Sequence, residues 1–464
     1  MSRERRIGLL AVSGGLLFLA ARIPLLVVRP AFYDERFTMW LVAQSPSQIL
    51  AALRHDSGPP LYYLLVHFLG ARSLVAIRAI SLVAAAGAWI AIACARRVGE
   101  WRWLACIALA VYPPAALMAI DARAYALCAL FVTLALVAWD AGRVDLAALA
   151  LVGAAYTHDY AFFFFPLLLV AARERRVRAA LAFLGATILA IPALLLARVQ
   201  PAEAIAWLRE LQLPPWQPLL NVSFAGRYAQ SLFPPSPPIV VAIALAIVIT
   251  AAVCSRSRAF AVAVAIPLAC AIGFSLAGHG VYFPLRFESV LAPAFVLWFA
   301  AALGRCSPRM RLVLFGGTVA IGACTIANGI RDLASRPSDP FALAARAAVA
   351  HVAPREPLVA SGFLWLETVS AGRANAIALP REQAVHPGWR ARNGVTASEL
   401  DALPDDFVWL GERGAPELRA LASRFALQRL YVSPEALVLR ARRPRAFPRL
   451  TGTLHSDAHA PLHY

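Results

Sequence analysis

The sequence predicts an all-α polytopic membrane protein with a small α/β domain at its C-terminal end. Three observations lead there. Hydrophobic residues make up 60% of the 464 and charged residues only 15%, where a soluble domain carries roughly a quarter charged residues. Long apolar runs alternate with short Arg-rich segments as far as residue 330. After that point the runs give way to short strand-like and helix-like pieces.

The membrane part follows from two rules applied together. A helix needs about 20 residues to cross a hydrocarbon core of roughly 30 Å, and short Arg-rich loops stay in the cytoplasm. Spans then fall at 7–28, 74–95, 103–119, 125–139, 146–158, 160–172, 179–197, 238–254, 259–278, 287–304 and 312–330, which is eleven in a range of about 11 to 13. The Arg-rich loops at 3–6, 96–102, 140–145, 173–178, 256–258 and 305–311 take the cytoplasmic side. An odd count leaves the N-terminus inside and the C-terminal domain outside. The first apolar run is too long for a signal peptide and lacks a small-residue cleavage site, so it reads as a signal anchor.

The first outer loop, 29–73, is long and holds two helix-like pieces, "DERFTMWLVAQ" and "SPSQILAALRHD", suited to lying along the interface. "PPLYYLLVHFLG" (59–70) is apolar, but its 12 residues reach only about 18 Å as a helix. It reads as a dipping or interfacial helix, or as a span that needs its neighbours to complete it. In the domain 331–464, "PFALAARAAVAHVA" and "APELRALASRFA" have helical patterns, and "EPLVASGF", "DDFVWLGE" and "QRLYVSPEALVLRA" read as strands.

All 44 basic residues are Arg, and the net charge is +18. In so apolar a chain this excess belongs to topology and to anionic membrane lipids, not to nucleic acid. The seven Cys include no CxxC pair and sit in or beside apolar runs. They read as small core residues, neither a disulfide framework nor a zinc site.

The topology also sorts the polar residues. Asp34 and Glu35, His55 and Asp56, Asp121, His158 and Asp159, His279 and Glu288 all fall on the outer side. Ionisable groups at membrane boundaries are costly and mark function, whereas solvated loop charges would scatter over both faces. A carboxylate in "YDER" can act as a general base on an attacking hydroxyl. In "IDARAYAL", Asp121 and Tyr125 share a face if the helix continues through them. Arg123 and Arg286 suit a phosphate, although an Asp-Arg pair that neutralises itself, or an interfacial anchor, would explain each alone. A divalent cation is the one cofactor these residues leave open, with His55, Asp56, His158 or Glu35 as ligands. His158 and Asp159 otherwise shape a cavity.

"YDERFTMWLVAQ", "DSGPPLYYLLVHFLG", "LVAIRAISLVAA", "DARAYAL", "YTHDYAFFF" and "LRFESVLAP", in this order, resemble the GT-C superfamily of membrane glycosyltransferases. The similarity is to the branch of protein mannosyltransferases and aminoarabinose transferases, glycosyltransferase family 39-like, and covers residues 7 to about 330. The resemblance implies a hexosyl- or pentosyltransferase that uses a polyprenyl-phosphate sugar, inverts the anomeric centre and works at the outer face. It implies Asp34 as base with Glu35 beside it. Arg286 is implied at the donor phosphate, and Asp121, Arg123 and Tyr125 near the donor cavity. The acceptor is a lipid, glycan or protein, its choice placed in the loop 198–237 and the outer domain. Relatives carry Asp-x-His-Pro-Pro-Leu or Glu-Lys-Pro-Pro-Leu where this chain has Asp56-Ser57-Gly58-Pro59-Pro60-Leu61, so Gly58 stands where a His or Lys is expected. The rival reading is a transporter or lipid flippase with these groups as a substrate or proton path. Charges gathered at one face, and a first loop without a counterpart in the second half, speak against it.

Overall fold

A computed structural model describes residues 3–170, 176–201, 204, 208, 213–223, 238–254, 258–335, 340–362, 364–384, 395–433 and 436–444. The remainder of the loop 198–237 lies outside the described residues. Two compact units divide the chain. Among the described residues the first runs to Ser335 and the second begins at Pro340.

The first unit is helical. It opens with α1 (Arg3–Ala20), α2 (Ile23–Val28), α3 (Tyr33–Val42), α4 (Pro46–Leu53), α5 (Leu61–Phe68) and α6 (Leu74–Ala93). It continues with α7 (Arg102–Val111), α8 (Pro113–Met118), α9 (Tyr125–Asp140), α10 (Val144–Ala155), a 3₁₀ helix (Asp159–Leu169) and α11 (Arg176–Val199). Helices Gln217–Asn221, Pro238–Cys254, Arg258–Leu276, Arg286–Leu303 and Pro308–Ser335 complete it. Five helices are long and apolar enough to cross a membrane: Gly8–Val28 taken through its break, Leu74–Ala93, Arg176–Val199, Arg286–Leu303 and Pro308–Arg331. Shorter apolar helices occupy most of the other expected spans. The two interfacial pieces are α3 and α4, and 59–70 forms the short α5. A capping box of Ser45 and Gln48 starts α4, and Ser73 caps α6 by accepting from the Ala76 N–H.

Three expected spans need correction. The first is broken at Ala21 and Arg22. The third, 103–119, divides at Tyr112, because Pro113 and Pro114 cannot donate to the carbonyls of Leu109 and Ala110 one turn back. Arg22 repairs that break: its guanidinium donates to Leu109 O (3.2 Å) and Ala110 O (3.0 Å), and also to Phe18 O (3.2 Å). The segment expected at 160–172 is a 3₁₀ helix, begun by His158, whose Nδ1 accepts from the Tyr160 N–H (3.2 Å).

Helix Arg286–Leu303 is the centre of this unit, buried along nearly its whole length. Phe295 and Phe299 stack on it at 6.2 Å, and Tyr112 lies 5.4 Å from Phe295. Its first residue, Arg286, is thereby carried on the most rigid element available.

The second unit contains a five-stranded sheet in the order β2-β1-β3-β5-β4. The strands are β1 (Leu358–Ser361), β2 (Ile377–Leu379), β3 (Asp406–Glu412), β4 (Ala426–Val432) and β5 (Ala436–Arg442). β1 runs parallel to β2 and β3, and β5 is antiparallel to β3 and β4. "QRLYVSPEALVLRA" is therefore a hairpin and not one strand, with Ser433 and Ala436 bonded across the break. Its core holds Val359, Phe407, Trp409 and Leu439. The buried Trp409 indole donates to Ser361 Oγ (2.7 Å), which satisfies the one polar atom so large a side chain brings inside. Helices Leu364–Ser370 and Ala397–Asp401 are too short to be legible as periodic patterns.

Arg22→Leu should leave the Ala110 carbonyl without its donor, and Leu109 with only the long bond from the Tyr112 N–H (3.4 Å), at about 1–3 kcal/mol for the orphaned carbonyl in an apolar interior. The expected outcome is a clearly lowered unfolding temperature of the detergent-solubilised protein. An unchanged transition would show that the break at Tyr112 needs no outside donor.

Candidate active site

Adjacent carboxylates on a helix point about 100° apart, and Asp34 and Glu35 accordingly meet different surroundings. They sit in the first turn of α3, where helix N–H groups favour negative charge. Asp34 remains a quarter exposed and pairs with Arg286. Glu35 is fully buried. Arg78 forks onto it through Nε (2.8 Å) and an Nη (2.5 Å), and the Ala122 N–H adds a third bond (3.0 Å). Glu35 is therefore a fastening and does not share the surroundings of Asp34, which differs from the sequence expectation of two carboxylates at one site. Arg78 carried no assigned role in the sequence. The signal for it is a lone charge inside the apolar "LVAIRAIS".

The helix does not continue back through Asp121 either. Residues 121–124 form a turn and α9 starts at Tyr125, so Asp121 and Tyr125 share no helix face. Asp121 is buried and instead faces Arg29 at 3.5 Å. The turn frees Arg123 to point elsewhere. Its guanidinium lies 5.9 Å from the rings of both Phe37 and Tyr63, and its Nε is buried without a hydrogen-bond partner. Arg286 is held over Phe283 (4.4 Å) and near Tyr125 (5.6 Å), so aromatic faces orient both cations.

A cavity of about 360 Å³ joins these groups. Arg123, Tyr125, His158, Asp159, Tyr160 and Arg286 line its polar part. Phe162, Phe163, Leu194 and Phe274 form an apolar wall, and Ser57, Gly58 and Pro59 another side. Asp34 adjoins it through Arg286. His158 stacks on Tyr160 (4.5 Å) and Tyr125 (5.1 Å). Asp159 has one buried carboxylate oxygen without a hydrogen bond. His55 departs from the group: it is exposed and lines a separate cavity with Arg54 and the end of α11.

The charges tune one another. Burial pushes the Asp34 carboxyl up, but the guanidinium charges of Arg286 and Arg123 outweigh it and hold Asp34 below the ordinary carboxylate range. Asp56 is pushed up to about 6 by burial, against the pull of Arg123. Asp121 also moves up, by burial first, with Arg29 opposing. His158 is pushed down to about 3 by burial and by the nearby positive Arg123 and Arg286, so its ring is neutral at physiological pH. Among the described residues no three His, Cys, Asp or Glu side chains gather as a metal site. The ligand set expected from His55, Asp56, His158 and Glu35 does not assemble, because Glu35 is spent on Arg78 and His55 faces another cavity.

Two solved structures resemble the whole chain. One is ArnT from Cupriavidus metallidurans bound to undecaprenyl phosphate, with TM-score 0.59 and 13% identity over 95% of this chain and 98% of that one. The other is the same protein in its apo state, with TM-score 0.60 and 14% identity over 94% and 98%. No family model and no curated protein matches the sequence. At this identity the likeness establishes the fold alone, which this chain shares with ArnT.

An ionised Asp56 would compete with a bound phosphate for Arg123. Below about pH 6 Asp56 holds its proton, and above it a negative charge appears beside the cation. A farnesyl phosphodiester, whose own charge is constant across this range, should bind more weakly at about pH 8 than at about pH 5. The dependence should lessen in Asp56→Asn, the remainder belonging to Asp159, a cavity carboxyl that burial also pushes up to about 6, and should flatten when Asp159→Asn is added, read by titration calorimetry. A wild-type profile already flat would separate Asp56 from the anion.

Proposed function

We propose that this chain is an integral membrane glycosyltransferase that moves a sugar from a polyprenyl-phosphate donor to an acceptor hydroxyl at the outer face of the cytoplasmic membrane. The observation that carries this reading is the convergence of Arg123 and Arg286 on a cavity whose other wall is aromatic and aliphatic. Two cations beside an apolar wall match a phosphate carried on an isoprenoid chain. The fold of ArnT, a protein seen with undecaprenyl phosphate, supports the same ligand. An outward-facing site also agrees with a donor that has already crossed the membrane as a lipid.

In the reaction the bond between the anomeric carbon and the phosphate oxygen breaks, and its electron pair leaves with the polyprenyl phosphate. Arg286 and Arg123 stabilise that charge as it develops. The acceptor oxygen attacks from the opposite face, which inverts the carbon, and its proton passes to Asp34. Asp34 is paired to Arg286. A phosphate that draws Arg286 to itself releases the carboxylate, so donor binding readies the base. Tyr125, His158 and Asp159 line the space for the sugar, with the neutral His158, whose Nδ1 already accepts from the Tyr160 N–H, able to donate one hydrogen bond through Nε2.

Asp34→Asn should lower transfer from a defined polyprenyl-phosphate sugar by about 10²–10⁴-fold, with folding and donor binding retained. Arg286→Ala should weaken donor binding as well. Wild-type protein that turns over no donor while its membranes move a lipid or solute would sink the enzyme reading in favour of transport. A parallel arm with a chelator reads metal dependence directly.

A further inference from the structure

Arg286 is the first residue of its helix, and the residue before it is under strain. Leu285 has φ of 70°, a left-handed conformation that a branched side chain adopts only when its surroundings enforce it. Something must hold that peptide, because its geometry sets the direction in which Arg286 leaves the helix. The Leu285 N–H donates to Glu288 Oε2 (2.7 Å). The second oxygen of Glu288 accepts from the Tyr282 hydroxyl (2.5 Å). Tyr282 in turn accepts from Asn221 Nδ2 (2.7 Å), and Asn221 Oδ1 accepts from Gln217 Nε2 (3.0 Å).

Every donor in this chain points toward Glu288. Glu288 and Asn221 are fully buried, and Tyr282 is nearly so. The far end, Gln217 to Asn221, is the short helix in the loop 198–237. A buried relay of this length is costly unless every link is made, and none of its members lines the cavity beside Arg286.

We infer that Glu288, tied through Tyr282 and Asn221 to the Gln217–Asn221 helix, is a positioning residue that fixes Leu285 in its strained conformation and so aims Arg286 at the anion-binding cavity. The inference deepens the proposed function and rests on it only for the identity of the anion. It also ties the Gln217–Asn221 helix to the residue that precedes Arg286.

The test uses the full-length protein in nanodiscs with farnesyl phosphate as probe. Glu288→Ala should weaken its binding by about tenfold, the scale of a lost charge-assisted hydrogen bond, and Tyr282→Phe by about threefold. Glu288→Gln, whose amide oxygen can still accept from Leu285 while its NH2 cannot accept from Tyr282, should lose no more than Tyr282→Phe. Leu285→Gly should recover most of the Glu288→Ala loss, because glycine takes positive φ without strain. Wild-type affinity in Glu288→Ala overturns the inference. So does a loss that follows the unfolding temperature and gains nothing from Leu285→Gly. If Glu288→Ala does not fold, Tyr282→Phe decides. If wild type and Arg286→Ala bind farnesyl phosphate alike, the phosphate reading falls. A cryo-EM map of Tyr282→Phe then still judges the relay: a displaced Arg286 supports it, and an unchanged pair with Asp34 overturns it.

Discussion

The arrangement of the cavity depends on one buried ion pair, the fork of Arg78 onto Glu35. Arg78 spends its remaining donors on Leu26 O, Arg29 O and Pro30 O, carbonyls at and just beyond the end of α2 that the helix leaves without partners. Glu35 in turn accepts the Ala122 N–H. A single pair therefore fastens α2, α3, α6 and the turn before α9. A buried pair is tolerated only when such extra bonds satisfy it. Both neighbours of its contacts are the cavity's charges: Asp34 precedes Glu35, and Arg123 follows Ala122. Neither touches Arg78, yet the register of each follows from it. Removing one partner would leave a bare charge in an apolar interior, and the two cavity groups would lose their common frame.

Much of this was legible in the sequence. Apolar run length located most helices of the first unit, and the order of short motifs pointed to a branch that includes aminoarabinose transferases before the likeness to ArnT was known. Of the one-sided grouping, Asp34, Asp56, His158 and Asp159 meet in or beside one cavity with Arg123 and Arg286, whereas His55 and His279 line others. What stayed hidden were the polar contacts between segments distant in sequence. Glu35 looks like a twin of Asp34 until its partner 43 residues away is known. Asp121 looks helical because "IDARAYAL" has no breaker, whereas its pairing with Arg29 and the Glu35 bond to Ala122 pull the chain into a turn. Arg22 was counted as part of a span, although two consecutive prolines elsewhere were the sign that some donor had to reach Leu109 and Ala110.

The cavity's electrostatics follow from the same economy. Arg29 and Arg78 answer Asp121 and Glu35 beneath it, while Arg286 and Arg123 answer Asp34 and Asp56 at its edge. Burial and the acquired partner act in opposite senses on each carboxyl, and the outcome differs with geometry. Asp34 has a guanidinium in contact and stays ionised. Asp56 has the field of Arg123 and a backbone hydrogen bond from Ser57, which burial outweighs, and moves toward neutrality. Two carboxylates of one type are thereby assigned different charge states by what stands next to them, which is the condition for one to act as a base while the other modulates the cation it faces.

Gly58 completes this account. The families that this chain resembles place a His or Lys where Gly58 stands. A Cβ there would meet no atom within 4 Å, so space is not the obstacle. The backbone is: φ is 102°, a value that side chains resist. That conformation is locked by Gln200, which accepts from the Gly58 N–H (3.2 Å) and donates to the carbonyls of Gly58 (3.0 Å) and Leu53 (2.8 Å). A side chain at 58 would favour a negative φ and draw both peptide groups away from Gln200, releasing the loop that walls the cavity. The loop is thus held through its backbone and contributes shape but no cation. Positive charge for an anion must come from the turn before α9 and from the start of helix Arg286–Leu303. Arg123 and Arg286 stand at those two places.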